Sequence, residues 1–303
     1  HTRMLLNNLE DTNVLFITLD SCRYDTAQKA NIPTIQSLGR IKKAYTHATY
    51  TVPAHTAFFT GHLPAVFDQS QSKYYSESAG QLWRIKTGKG RDREAGTVFS
   101  QQTVLEGYRQ LGFTILGAGG VTQFTEGSLL RNFFKKEEFM YFGRNLDEEP
   151  LKPRNEQEFP LNNLETIVNR INDKDKWFLF VNCPETHYPY DIGNGFNDEL
   201  NKYYPKLYKI LNLREADDPI DIPVEVYAIL HDMQIKALEY VDARIRKLLS
   251  MLPKNKDILV IISGDHGENF GEVFNGRQRW GHLLPTKEVL EVPLLINVIK
   301  SRT

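Results

Sequence analysis

Ile258-Leu259-Val260-Ile261-Ile262-Ser263-Gly264-Asp265-His266-Gly267-Glu268 decides the fold of this 303-residue chain. Five apolar residues, most of them β-branched, predict a short strand. Their run is continuous rather than alternating, which predicts burial on both faces, as in a mostly parallel sheet. A carboxylate and an imidazole follow within four residues. In open α/β sheets, ligands bind beyond the carboxyl ends of the strands. Asp265 and His266 are therefore candidate ligands of a divalent metal.

Working outward, four more runs read the same way: Val14–Leu19 (VLFITL), Phe113–Leu116 (FTIL), Trp177–Val181 (WFLFV) and Val292–Val298 (VPLLINV). Helical patterns lie between them, at Val104–Leu111, Leu161–Asn172 and Val224–Leu252. The last carries Tyr227, Leu230, Ile235, Leu238, Val241, Ile245 and Leu248 as an apolar stripe, the mark of a helix packed on a core. Strands alternating with helices predict an α/β fold, an open doubly wound, mostly parallel sheet with helices on both faces. The reading is one domain over residues 1–303. Polar excursions at about 68–100 and 193–223 would form cap or substrate loops.

The first strand runs into Asp20, a second candidate metal ligand. Upstream of the helical stretch Ala54–Thr60, Thr51 and Pro53 mark a helix start. A hydroxyl there lies close to free backbone N–H groups and the positive end of the helix dipole, which favours a dianionic ligand. Read alone, Thr51 is a helix cap, and Thr49 competes for either role. His187, in Pro184-Glu185-Thr186-His187-Tyr188-Pro189-Tyr190, follows another strand. His282 lies in Trp280-Gly281-His282-Leu283. Each alone reads as a hydrogen-bonded loop histidine; together with Asp20, Thr51, Asp265 and His266 they read as parts of one site.

Composition narrows the partners. The apolar fraction is 41% and the charged fraction 25%, ordinary for a globular protein, and the formal net charge is -1. No global field favours nucleic acid, and none is expected as a partner. The basic run Lys86–Arg93 (KTGKGRDR) reads as a solvated loop. Two cysteines, Cys22 and Cys183, imply no disulfide framework. No apolar run is long enough to span a membrane and no signal peptide is visible, so a cytoplasmic location is expected. Gly117-Ala118-Gly119-Gly120 lacks the third glycine of a dinucleotide fingerprint, and Lys86-Thr87-Gly88-Lys89-Gly90 lacks P-loop spacing. Nothing in the sequence sets an oligomeric state.

The motifs resemble, in order, those of the sulfatase-like branch of the alkaline phosphatase superfamily. Leu19–Asp25 resembles the first metal motif and Thr51–Gly61 the nucleophile segment. Gly107–Gly117 is similar to the following helix and strand. Phe178–Val181 with His187–Tyr190 resembles the substrate-histidine motif, and Tyr240–Leu249 the helix before the metal strand. Ser263–Glu272, Gly281-His282 and Val292–Ile296 resemble the closing metal segment. Formylglycine sulfatases resemble Cys-x-Pro-x-Arg at the nucleophile. Here Thr51 stands at the cysteine position and His55 at the arginine position. Calcium-type members carry a second Asp and an Asn where this chain has Ser21 and His266.

The resemblance therefore implies a threonine-nucleophile member, similar to phosphodiesterases, phosphonate monoester hydrolases and phosphoethanolamine transferases. It implies one divalent metal held by Asp20, Thr51, Asp265 and His266. An imidazole donor favours Zn²⁺ first and Mn²⁺ second over Ca²⁺. A second metal held by His187, His282 and a carboxylate, with Glu185 the nearest, is a further expectation. His55, His187 and His282 are expected to meet an anionic small-molecule ester, with Thr51, His187 and His282 catalytic. The implied activity is hydrolysis of phosphate or phosphonate esters through phosphothreonine. The alternatives are transfer of a phosphoryl-linked group such as phosphoethanolamine to an alcohol, or a catalytically silent binding module of the same fold.

Overall fold

The computed structural model describes residues 9–61, 103–144, 152–193, 195, 197–213 and 222–301. The predicted excursion at 68–100, with its basic run, lies outside the described residues.

The chain opens with β1 (Asn13–Leu19), α1 (Tyr24–Lys29), α2 (Pro33–Leu38), β2 (Lys42–Tyr45) and α3 (Thr51–Thr60). Next come α4 (Val104–Gln110), β3 (Thr114–Gly119), β4 (Phe139–Tyr141), α5 (Leu164–Val168) and β5 (Trp177–Cys183). The last part holds α6 (Tyr204–Leu213), α7 (Val224–Met251), β6 (Ile258–Gly264), β7 (Asn269–Phe274), β8 (Arg277–Gly281), α8 (Lys287–Leu290) and β9 (Glu291–Ile299). Among the described residues, seven strands form one sheet in the order β2-β9-β6-β1-β5-β3-β4. The five from β6 to β4 are mutually parallel, while β9 pairs antiparallel with β6 and β2 with β9. The α/β fold with a mostly parallel sheet is as the sequence predicts, with the closing strand reversed. A short hairpin of β7 and β8 stands apart from it.

Strand alternation sorts the core into two layers. Leu15, Ile17 and Leu19 of β1 face one side with Leu179 and Val181 of β5, against Leu238, Val241, Ile245 and Leu248 of α7. Val14 and Phe16 face the other side with Phe178 and Phe180, against Phe59 of α3 and Leu105 of α4. Continuing the period of two puts Thr18 and Asp20 on the α3 side. Leu259 of β6 lies in the same α3-side cluster, so Ser263 and Asp265 also follow that side.

Helix α3 is held by its aromatic back. The ring of Phe59 sits 5.1 Å from Phe180, 5.2 Å from Phe133 and 5.5 Å from Phe134, centroid to centroid. Such pairs each add about 0.5–1.5 kcal/mol beyond area burial. The helix stops at Gly61, which takes a left-handed conformation with φ of 70°, the usual glycine ending.

Two expectations are revised, the helix at Leu161–Asn172 and the polar character of 193–223. Leu161–Asn172 is a 3₁₀ turn (Pro160–Asn162) and the five-residue α5 rather than one helix. Gly117 and Gly119, which the sequence does not read as a phosphate loop, belong to β3, where a Cβ on Gly117 would stand 2.4 Å from the Phe139 ring. The described part of 193–223 is not merely polar. There α6 buries Tyr204, Leu207 and Ile210 against Tyr188, Tyr227, Phe270 and Trp280.

Candidate active site

The parallel register of β1 and β6 builds the centre. Thr18 lies beside Ser263 and Leu19 beside Gly264, so the chains leave the sheet together and bring Asp20 next to Asp265. Ser21 then turns in a left-handed conformation, φ 59°. That conformation is uncommon for a residue with a Cβ and is found at sites that need it. The turn aims the Ser21 N–H at Asp265 Oδ1, 3.0 Å away. From α7, Gln234 donates to the carbonyls of both Ser21 (2.8 Å) and Thr186 (3.0 Å), and Thr186 donates to the Asp20 carbonyl at 2.7 Å. Gly267 lets the loop pass: a Cβ there would meet the Glu288 carbonyl oxygen at 2.0 Å.

Asp20, Asp265 and His266 are all fully buried, and one ligand atom from each lies within 4.8 Å of the others. Asp265 Oδ2 has no hydrogen-bond partner although it is buried. Burial, and then the neighbouring Asp20, hold the Asp265 carboxyl well above the ordinary carboxylate range. Burial, with His282 adding to it, holds the His266 imidazolium well below its ordinary range. Two buried carboxylates crowd one another, an oxygen is left over, and a neutral imidazole stands beside them. That donor set fits a divalent cation.

Thr51 is the first residue of α3 rather than its cap; Tyr50 holds the cap position. Thr51 Oγ1 stands 3.5 Å from His266 Nε2, so the expected nucleophile faces the cluster of Asp20, Asp265 and His266. Thr49 is buried with its hydroxyl unpartnered among the described residues.

Three histidines share one orientation. His266 Nδ1 donates to the Gly267 carbonyl at 2.9 Å, His187 Nδ1 to the Tyr188 carbonyl at 2.7 Å, and His282 Nδ1 to Glu268 Oε1 at 2.8 Å. Each thereby leaves Nε2 for other work. The His282 ring lies 4.4 Å from that of His266 and 5.8 Å from that of His187. Burial alone would lower His282, but the Glu268 carboxylate outweighs it and the net shift is upward.

Two expected residues sit elsewhere. His55 does not face a ligand space. It is fully buried, its ring surrounded by Phe58, Phe59, Phe124 and Phe180 at 5.3 to 6.2 Å, and both its nitrogens are bonded inside the protein. Glu185 is fully buried with neither oxygen hydrogen-bonded, and it is not in the metal group. The carboxylate beside His282 is Glu268, whose other oxygen accepts from the Tyr190 hydroxyl at 3.3 Å. Glu268 lies within the quoted motif, yet no spacing rule links it to His282. Cys22 and Cys183 are buried thiols, pushed up by burial and unsuited to nucleophilic work.

The sulfatase family model matches residues 12–301. No curated protein sequence gives a significant match. Among solved structures, the C-terminal periplasmic domain of EcEptC from Escherichia coli in complex with Zn is similar at TM-score 0.56 and 12% identity, covering 96% of this chain and 73% of that one. The integral membrane lipooligosaccharide phosphoethanolamine transferase A (EptA) from Neisseria meningitidis is similar at TM-score 0.54 and 15% identity. That match covers 95% of this chain but 47% of EptA, so the chain spans about half of EptA's length. A 2-O GAG sulfatase is similar at TM-score 0.53 and 15% identity, covering 96% of this chain and 65% of that one. No helix among the described residues is long and apolar enough to cross a membrane.

Proposed function

The chain belongs to the sulfatase family, and on that premise we propose that it is a metal-dependent hydrolase of phosphate or phosphonate esters with Thr51 as nucleophile. The observation that carries this is the 3.5 Å approach of Thr51 Oγ1 to His266 Nε2, beside the unpartnered Asp265 Oδ2. Threonine in place of the sulfatase cysteine supports phosphorus rather than formylglycine-type sulfate chemistry.

Asp20, Asp265, His266 and Thr51 Oγ1 would hold the cation, Zn²⁺ first and Mn²⁺ second for this donor set. When bound, it supplies a lowered hydroxyl pKa and Lewis acidity. Thr51 Oγ loses its proton to solvent and forms the bond to phosphorus as the bond from phosphorus to the leaving alkoxide breaks. The N-terminus of α3, ten residues long, stabilises the gathering negative charge. His282, its imidazolium favoured by Glu268, protonates the alkoxide from Nε2, and His187, its ring 5.8 Å from that of His282, lines the same side of the site. Water then gives a proton to the now neutral His282 and bonds to phosphorus as the bond from phosphorus to Thr51 Oγ breaks, and Thr51 Oγ regains a proton from solvent. Two displacements give retention at phosphorus.

The test is release of 4-nitrophenol from monoester, diester and phosphonate substrates with Zn²⁺ or Mn²⁺, in wild type and Thr51→Ala. A Thr51→Ala rate equal to wild type and independent of metal would refute the reading. Transfer to an alcohol is the second reading, supported by the likeness to a phosphoethanolamine transferase. It predicts product only when an acceptor alcohol is supplied.

A further inference from the structure

We infer that His55 is a positioning residue that locks the nucleophile's backbone to the strand carrying the metal ligand Asp20, through a directed relay Asn182 → Thr18 → His55 → Thr51; this rests on Thr51 being the nucleophile. The bonds carry the direction. Thr51 offers a carbonyl oxygen 2.9 Å from His55 Nδ1, and a carbonyl only accepts, so Nδ1 holds the proton. In the neutral ring Nε2 is then an acceptor, and it lies 2.9 Å from Thr18 Oγ1, which donates. The Thr18 oxygen accepts in turn from Asn182 Nδ2 at 3.3 Å, and the same amide reaches Asp20 Oδ2 at 3.5 Å.

Every member is buried, at most 5% exposed. The His55 ring is set among Phe58, Phe59, Phe124 and Phe180, and Thr18 and Asn182 stand two residues beyond Phe16 and Phe180 on the same strand faces. Apolar residues would fill these places at less desolvation cost, so the polar chain needs a reason. Its ends supply one. One end is the residue that bears the reacting hydroxyl; the other reaches the Asp20 carboxylate through Asn182. His55 Nδ1 also lies 3.6 Å from the unpartnered Asp265 Oδ2. The imidazole thus ties α3 to β1, fully buried and with both ring nitrogens engaged inside the protein.

Four variants and one spectrum test this. His55→Phe keeps the ring in its aromatic surroundings and removes both bonds. His55→Asn keeps a donor at the Nδ1 position. Thr18→Val and Asn182→Leu break the relay further back. With 4-nitrophenyl phosphate esters and Zn²⁺, His55→Phe should lose about 100-fold in kcat, the scale of a nucleophile displaced by about 1 Å. Its KM should change less than about threefold. His55→Asn should recover most of the loss, and Thr18→Val should fall between. A raised KM with unchanged kcat would mean substrate contact and overturn the inference. So would wild-type kcat in His55→Phe. Long-range ¹H–¹⁵N spectra of the metal-free protein decide the direction without activity: an Nδ1–H tautomer for His55, lost order at that ring in Thr18→Val, supports the relay, and an Nε2–H tautomer overturns it. Should wild type itself turn over no ester, the functional reading fails while the spectrum still decides the relay.

Discussion

Glu268 Oε1 lies 2.8 Å from His282 Nδ1, and both residues come from the loop and hairpin that follow β6. The pair resembles a base held by its orienting carboxylate. Glu268 is itself fixed: Tyr190 donates to its second oxygen and Arg23 Nη1 donates to its carbonyl at 3.2 Å. Arg23 in turn is clamped by Asp25 and Glu272 at 2.7 and 2.5 Å.

Glu268→Gln should therefore lower kcat by about 10- to 100-fold, the usual scale for a group that orients a working histidine. The carboxylate favours the imidazolium, so its removal lowers the His282 pKa. The alkaline limb of the pH–rate profile should move to lower pH, with activity at high pH lost first. A profile that keeps its shape while all rates fall would assign Glu268 to folding alone.

Asp20→Asn should separate stability from metal binding. It removes one of two crowded buried carboxylates, so the metal-free variant should melt above metal-free wild type, by the order of 1 kcal/mol. Zn²⁺ at a hundred times its Kd should raise wild-type stability by about 2.7 kcal/mol, and the variant much less. Differential scanning fluorimetry with and without Zn²⁺ reads both effects.

Glu185 should make stability fall with rising pH. Burial raises its carboxyl to about 7, with Arg154 and Arg244 only partly offsetting this. Its folded pKa exceeds its unfolded one, so the folded state binds the proton more tightly. That contribution is fully present below about pH 4.5 and is lost as pH climbs towards 7. Glu185→Gln should flatten this window and be more stable than wild type at pH 8 by a few kcal/mol, seen in urea melts at pH 5, 6, 7 and 8. An equal pH slope in both proteins would show that Glu185 is not the group responsible.

Gly267→Ala should damage the metal site more than the fold. Its Cβ would press on the Glu288 carbonyl, and the neighbouring bond from Gly267 N–H to the Val289 carbonyl, 2.7 Å, ties the same two segments. The loop bearing Asp265 and His266 must shift. A cost of about 1–3 kcal/mol is expected, with Zn²⁺ affinity by titration calorimetry falling by tenfold or more and the far-ultraviolet spectrum unchanged.

How much was legible in the sequence differs by residue. The five strands announced themselves by continuous apolar runs, and all five runs are strands of the sheet. Asp20, Asp265 and His266 could be singled out as candidate ligands because each stands just past such a run, and the structure gathers them into one cluster. Thr18 and Asn182 carried a fainter signal, polar residues inside or ending buried strands, which reads equally as tolerance. Glu268 was visible as a letter but not as a partner. His55 pointed the wrong way, because a histidine beside a nucleophile suggests substrate contact until its burial is known.

What the sequence determined by itself is local: strand period, helix starts, and the parity that puts Thr18 and Asp20, or Ser263 and Asp265, on one face of their strands. Parity follows from backbone geometry, which each segment carries alone. What only the tertiary structure decided is register and burial. Pairing Leu19 with Gly264 is what sets Asp20 beside Asp265; a slip of one residue would turn one of them to the other face. That choice belongs to the summed packing of two core layers against α3 and α7, and no single segment contains it.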